Sequence, residues 1–166
     1  MTDATGARVD VEILVAKDAV QMWDLVTDVT RIGEWSPECA SAAWLDGDTA
    51  RPGGRFEGHN EFEGGFKSTV VCVVTHVERP ATFEWMVLDP SELPDRPGSI
   101  WRYELAPGEV PGQTKVLHRF VHGPGVTGLS KAMRENPDEA RAILQGRLDD
   151  LRKHMTITIE GMARSS

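Results

Sequence analysis

Residues 136–162 read NPDEARAILQGRLDDLRKHMTITIEGM, and whether this run is one helix or a helix followed by a strand decides the fold. Asn136 is a helix-capping residue, Pro137 suits a first turn where its missing N–H costs nothing, and Asp138 and Glu139 meet the positive end of the helix dipole. Ala140, Leu144, Leu148, Leu151, Met155, Thr158 and Met162 then share one side of a helical wheel. Thr156 to Ile159 has the composition of a strand, but the helical stripe passes through it without interruption. The expectation is one helix from Pro137 to Met162, about 39 Å long.

Upstream of it the period changes. Val9, Val11, Ile13 and Val15 alternate with Asp10 and Glu12, which predicts a half-buried strand over Arg8 to Ala16. Asp18, with Gln21 three residues on, caps an amphipathic segment carrying Ala19, Met22, Trp23, Val26 and Val29. Thr30 opens a further short turn with Ile32 and Trp35, ended before Pro37. From Ser41 to Gly123 six more strands are expected: Ser41–Asp46, Arg55–Phe62, Phe66–Arg79, Thr82–Leu88, Ser99–Ala106 and Gln113–His122. Gly64 and Gly65 signal a two-residue hairpin, because glycine supplies the positive φ such turns need. Longer connections at Asp89–Gly98 and Pro107–Gly112 are candidates for a pocket rim. HGPGVTG, at 122–128, reads as a loop.

The predicted class is therefore α+β: a seven-stranded antiparallel sheet, two short helices after its first strand, and one long C-terminal helix that must cover the whole sheet. A helix about 10 Å across is too narrow for that task. The space left between helix and sheet is the expected ligand site.

The chain has 166 residues, 40% of them hydrophobic, with 18 basic against 26 acidic side chains, a formal charge of −8. That size fits one domain spanning 1–166, with its ordered core over about 8–162, and allows roughly 70% of the unfolded surface to be buried without a disulfide or metal. The negative balance argues against nucleic acid as a partner. Cys39 and Cys72 are the only cysteines and form no paired framework, so a reducing cytoplasm is the expected compartment. No signal-peptide pattern opens the chain, and no run of about 18 apolar residues predicts integral membrane association. A monomer or homodimer is expected.

On these residues the sequence resembles the START/birch-pollen-allergen superfamily, and within it the bacterial polyketide cyclase/dehydrase and lipid-transport group. The resemblance is carried by the opening strand with DAVQMWDLVTDVTRIGEWSPEC (18–39), PGGRFEGHNEF (52–62), VVCVVTHVERPATFEW (70–85) and the final helix. It covers nearly the whole chain and consists of spacing, not a catalytic signature. It implies a helix-grip fold around a hydrophobic cavity for a lipid, polyketide, sterol-like or aromatic molecule.

Glycine-rich phosphate loops, the GxSxG elbow and HExxH are all missing, so nucleotide, hydrolase and zincin chemistries drop out, and no cofactor or metal is called for. His118 and His122 share a strand face but lie about 13 Å apart, too far to hold one zinc, and the bland reading makes them solvent-exposed or capping. Glu57, His59 and Glu61 read as the outer side of their strand. On its inner side stand Phe56, Gly58, Asn60 and Phe62, where Asn60 either satisfies buried backbone groups or orients a ligand. Phe83 and Trp85 on one strand, Trp101 and Tyr103 on the next, and His118 and Phe120 on the last alternate inward. They are core by period, and in a fold with a cavity they are also its wall. Leu144 and Leu151 complete the predicted lining from the helix. Arg147 and His154 sit on the flank of the apolar stripe, with stems over the sheet and polar ends in water.

His118 is the inward ionisable group and the candidate acid/base. It serves as a ligand contact, a structural tether or, in an aromatase/cyclase- or dehydratase-like enzyme, a proton-transfer residue with Asn60 or Tyr103 orienting the substrate. The sequence-level expectation is binding of a hydrophobic small molecule for transport or sensing. That enzyme is the first alternative, and a protein-interaction module of the co-chaperone kind is the second.

Overall fold

Eight residues of alternating burial form β1, Arg8–Val15, which enters the computed structural model, where residues 3–165 are described, as one edge of the sheet. Six strands follow, β2 Cys39–Trp44, β3 Arg55–Glu61, β4 Lys67–Glu78, β5 Thr82–Val87, β6 Ser99–Pro107 and β7 Thr114–His122. All pair antiparallel in the order β1-β7-β6-β5-β4-β3-β2, so the chain's ends and its early strands lie at opposite edges. The helix-grip architecture and the seven-stranded antiparallel sheet are as expected.

Helix α1, Ala19–Thr27, is fixed by the capping box between Asp18 and Gln21 and buries Met22, Trp23, Leu25 and Val26. The next turn, Val29–Glu34, is a 3-10 segment capped by Asp28 and not by Thr30, because the Asp28 carboxylate accepts from both the backbone N–H and the hydroxyl of Thr30. The β3–β4 connection also differs. Phe62 and Phe66 close it through their backbone, leaving Glu63, Gly64 and Gly65 as a three-residue loop with positive φ at both glycines. The two phenylalanine rings thereby meet with centroids 5.6 Å apart.

The larger departure precedes the long helix. Residues expected as loop form α2, Gly128–Glu135, with Thr127 and Ser130 as its capping box. Asn136 consequently ends α2, its side-chain amide donating 2.9 Å to the Ala132 carbonyl, instead of capping the helix that follows. Pro137–Glu139 is a 3-10 turn, and the long helix, α3, runs over Ala140–Arg164. Thr156 to Ile159 is helical, as the stripe predicts.

α3 packs along β1 and α2. Arg152 donates to the Asp10 carbonyl at 2.8 Å, and Leu151, Met155, Ile159 and Met162 join Val9, Val11, Phe83 and Val116 in the main core. Ala140 and Leu144 turn instead to a small separate cluster with Ala4, Leu129 and Met133. Among the described residues no helix is long and apolar enough to cross a membrane.

Two glycines of α3 stand in opposite environments. A Cβ on Gly146 would meet nothing within 4 Å, whereas one on Gly161 would lie 3.0 Å from Trp35 Cδ1 and 3.1 Å from Trp35 Cβ. Gly146→Ala should raise stability by about 0.5–1 kcal/mol through helix propensity alone. Gly161→Ala should lose that gain to the Trp35 contact, and thermal melts of the two variants side by side check the difference.

Candidate functional site

Because α3 lies along β1, much of the concave face over β3 to β6 is left uncovered, with α1 reaching only part of β5 and β6. A cavity of about 1480 Å³ fills that gap. Its sheet wall is ordered by the strand register. Val87, Ser99 and His122 form one row across β5, β6 and β7, Trp85, Trp101 and Phe120 the next, and Phe83, Tyr103 and His118 the third. Four residues separate the first row from the third along each strand, about 13 Å. The first row adjoins the mouth, where the β3–β4 hairpin, the β5–β6 loop and the start of α2 meet, and where Phe66 and Val126 remain 59% and 38% exposed.

The wall is aromatic throughout. Phe56 meets Trp85 edge-on at 6.1 Å, Trp85 and Trp101 lie with planes within 4° at 6.2 Å, and Phe120 meets Trp101 edge-on at 4.9 Å. In the third row the Tyr103 and His118 rings stack face to face, 3.7 Å between centroids and 1° between planes. His118 Nδ1 lies 3.0 Å from the Arg102 carbonyl oxygen. A carbonyl only accepts, so Nδ1 carries the proton and Nε2 presents a lone pair. No described residue partners His118 Nε2 or Tyr103 Oη, and no sealed side-chain nitrogen or oxygen lacks a partner, so both atoms face the cavity. Burial pushes the His118 pKa down to about 4 against the opposing pull of the Arg102 carbonyl, and pushes the Tyr103 hydroxyl up. At neutral pH both rings are uncharged.

The helix side of the cavity carries charge instead. Arg147 on α3 makes two bonds to Glu38, 2.5 and 2.9 Å, and His154 Nδ1 lies 2.7 Å from the same carboxylate. Glu38 stands on the link between the 3-10 turn and β2, so the cluster ties α3 to the far edge of the sheet. The Glu38 side chain is only 13% exposed. Burial alone pushes its carboxyl up, but the hydrogen bonds and charges of Arg147 and then His154 outweigh this and hold it below the usual carboxylate range. The Arg147 guanidinium also lies over the Phe62 ring, 5.4 Å from its centroid.

Of the residues read from the sequence as lining, Phe56, Asn60, Phe62, Phe83, Trp85, Trp101, Tyr103, His118, Phe120 and Leu151 all border the cavity. Leu144 does not, because the unforeseen α2 packs against it. Asn60 donates to Ser68 Oγ at 3.2 Å across the β3–β4 pair, a side-chain partner and not a backbone one. His122 is buried, not exposed. Its Nδ1 donates to the Gly123 carbonyl and its Nε2 accepts from the Thr127 hydroxyl, each at 2.7 Å, which joins the end of β7 to the cap of α2. Arg147 and His154 remain partly exposed, but their polar ends are taken up by Glu38. Glu38 itself was missed, since a lone acid after Ser36-Pro37 reads as loop polarity. The flank position of Arg147 and His154, a guanidinium and an imidazole seven residues apart on one helix side, marks the face of α3 that a polar partner meets. Among the described residues no three His, Cys, Asp or Glu side chains group as metal ligands.

Comparison with known proteins gives the following. Residues 6–156 match the family model described as polyketide cyclase / dehydrase and lipid transport. A polyketide-cyclase-like protein of Corynebacterium glutamicum has a similar structure, with 22% identity, 96% of this chain and 91% of that one covered, and a TM-score of 0.66. A START superfamily protein of Mycobacterium smegmatis superposes with 19% identity over 87% of this chain and 98% of that one at 0.56. Ara h 8.0201 does so with 13% identity over 96% and 98% at 0.57. At these identities the likeness is one of fold. No curated protein matches the chain in sequence.

A carboxylate whose folded pKa is held low contributes stability that is fully present above its unfolded value, near 4.3, and is lost as pH falls through the folded one. Glu38→Gln should therefore cost about 2–3 kcal/mol at pH 7, leaving Arg147 half-buried without its counter-ion. The difference in urea midpoint from the wild type should close as the pH drops below about 4; a difference that persists there would assign the loss to packing. For His118 the sign is opposite in origin but the same in direction. Below about 6.5 the unfolded chain takes up a proton that the folded imidazole refuses, so stability falls between about pH 6.5 and 4. An NMR titration should find His118 still neutral at pH 5, and an apparent pKa near 6.5 would mean that water solvates the ring.

Proposed function

The chain belongs to the polyketide cyclase/dehydrase and lipid transport family, and on that footing we propose that it binds an extended apolar or aromatic small molecule in the cavity between the sheet and α3, for carriage or sensing. The observation that carries this reading is the cavity itself: about 1480 Å³ of space walled by Phe56, Trp85, Trp101 and Phe120 in a chain whose remaining core is well filled. Apolar surface left uncovered inside a fold costs stability, and a ligand that covers it returns roughly 25 cal/mol per Å². Aromatic rings suit this work, since they are stiff and present flat faces.

Binding is favoured over catalysis by the state of the inward polar groups. A general acid or base works best with a pKa near the operating pH. His118, pushed by burial to about 4, is a weak base at neutral pH, and Tyr103, pushed up, is a weak acid. Neither has a carboxylate within hydrogen-bonding reach to tune it. Glu38 is fully engaged with Arg147 and His154, and Asp89, the other held carboxylate at the cavity, with Ser91 and the Val126 N–H. A reducing cytoplasm suits the two unpaired cysteines, Cys39 and Cys72.

Mass spectrometry of the protein purified and sprayed under native conditions tests the reading. A complex heavier than the polypeptide, which releases a small apolar molecule on denaturation, is the expected result. A chain that carries nothing, and whose melting temperature no apolar or aromatic compound raises, would overturn it.

A further inference from the structure

Asn60, His122, Arg147 and His154 on the cavity wall are each taken up by another side chain, but deep within it two polar groups are not. Tyr103 and His118 lie opposite each other on β6 and β7, stacked at 3.7 Å. Between them they turn a hydroxyl and an imidazole lone pair toward the same space. We infer that the ligand carries a hydroxyl group at its leading end, which accepts a hydrogen bond from Tyr103 Oη and donates one to His118 Nε2, while its aromatic or polycyclic body lies back along Trp85 and Trp101 toward the mouth. This rests on the cavity being a binding site, and adds to it the polarity and the orientation of what is bound.

Three observations select a hydroxyl over other head groups. The lone pair at Nε2 follows from the bond between Nδ1 and the Arg102 carbonyl, so the site must meet a donor and not only an acceptor. The Tyr103 hydroxyl is free to donate, so the same site must also meet an acceptor. One O–H oxygen does both. An ether or ketone would leave Nε2 unsatisfied, and a bare hydrocarbon would leave both groups so, each at the cost of an unpartnered buried polar atom. An anion is disfavoured because no cation faces the third row. Arg102, the nearest charged neighbour in sequence to Tyr103, stands on the outer face, paired with Glu84 at 3.0 Å and Glu104 at 3.2 Å. Of the cationic side chains that border the cavity, Arg147 is occupied by Glu38 on the helix side, and Lys131 and Lys153 are exposed on the helices, away from the sheet row that holds Tyr103 and His118.

Depth fixes the orientation. The third row is about 13 Å along the strands from the first, which borders the mouth, so a head group that reaches Tyr103 and His118 must enter first. The body then passes over Trp101 and Trp85, whose rings stand side by side with planes within 4° of each other. Phe62 and Phe66 stand beside the mouth where its trailing end emerges.

The experiment compares naphthalene, 2-methoxynaphthalene, 2-naphthol and 2-naphthoate at pH 7, followed by quenching of the five tryptophans and by calorimetry. The expected order is 2-naphthol tightest, by roughly tenfold over 2-methoxynaphthalene, which accepts but cannot donate. Tyr103→Phe keeps the ring stack and removes one oxygen. It should weaken 2-naphthol roughly tenfold and bind naphthalene at least as tightly as the wild type does. In the wild type, 2-naphthol should move the 15N resonance of His118 Nε2 toward that of a hydrogen-bonded nitrogen, and 2-methoxynaphthalene should not. Equal affinity for naphthalene, 2-methoxynaphthalene and 2-naphthol overturns the inference and leaves the cavity's binding role standing. Tighter binding of 2-naphthoate than of 2-naphthol overturns it in favour of an anionic head. Failure of all four to bind overturns the inference together with the aromatic-binding role.

Discussion

One helix has to cover seven strands, and every other feature of the molecule follows from where that helix is put. Twenty-five residues of α3 make a rod about 38 Å long but only about 10 Å wide. Seven strands at about 4.8 Å spacing present roughly three times that width. The rod is placed along β1, where Arg152 bonds to the Asp10 carbonyl and Leu151, Met155 and Ile159 pack on Val9 and Val11. Dry packing is thereby concentrated under α1 and the β1 side of the sheet. Much of the face over β3 to β6 is left facing empty space, and the same placement that makes the core makes the cavity.

A helix held along one edge would leave the other edge free to splay, and the distribution of charge answers this. Glu38 reaches from the β2 side to Arg147 and His154, the polar link between α3 and the far end of the sheet. It lies beside the mouth, where partial exposure lowers the desolvation cost of an ion pair and leaves it net favourable. Deeper in, the same chemistry would fail. Tyr103 and His118 are fully buried, and both are held in their neutral forms by that burial. Charge near water and neutral polarity in the interior is thus a consequence of dielectric gradient along one cavity, and it assigns the two polar clusters different tasks: the first holds the walls together, the second is left free for something else.

How much of this could be read from the chain depends on the range of the interactions concerned. Strand periods, the Asp18 capping box and the stripe of α3 are local, and the seven strands, α1 and the long helix were all legible. The alternation of Phe83 with Trp85 and of Trp101 with Tyr103 puts these rings on one face of β5 and β6, because the face follows from period two. What was illegible was decided by competition between neighbours. Asn136 has the identity of an N-cap but serves α2, which reaches it first, and with α2 unforeseen Leu144 was assigned to the cavity. Glu38 is separated from Arg147 and His154 by more than a hundred residues along the chain, and no local signal pairs an acid after a proline with a guanidinium and an imidazole on a distant helix.

The division between dry core and open cavity also separates two kinds of sequence constraint. Met22, Phe83, Val116 and Ile159 are wholly buried, and any change in their volume is felt as lost packing. Trp85 and Trp101, though part of the same sheet, are only half-buried because their outer faces look into the cavity. Their side chains can change size or polarity at little cost to the fold and at large cost to whatever fills the space. Identities of 13 to 22% with proteins of the same fold fit such a division, since strand order and a long helix can be specified by period and volume without fixing individual residues. Tyr103 and His118 are therefore the informative pair of this chain, since a hydroxyl and an imidazole lone pair that face the cavity without protein partners add nothing to the packing of the wall they stand in.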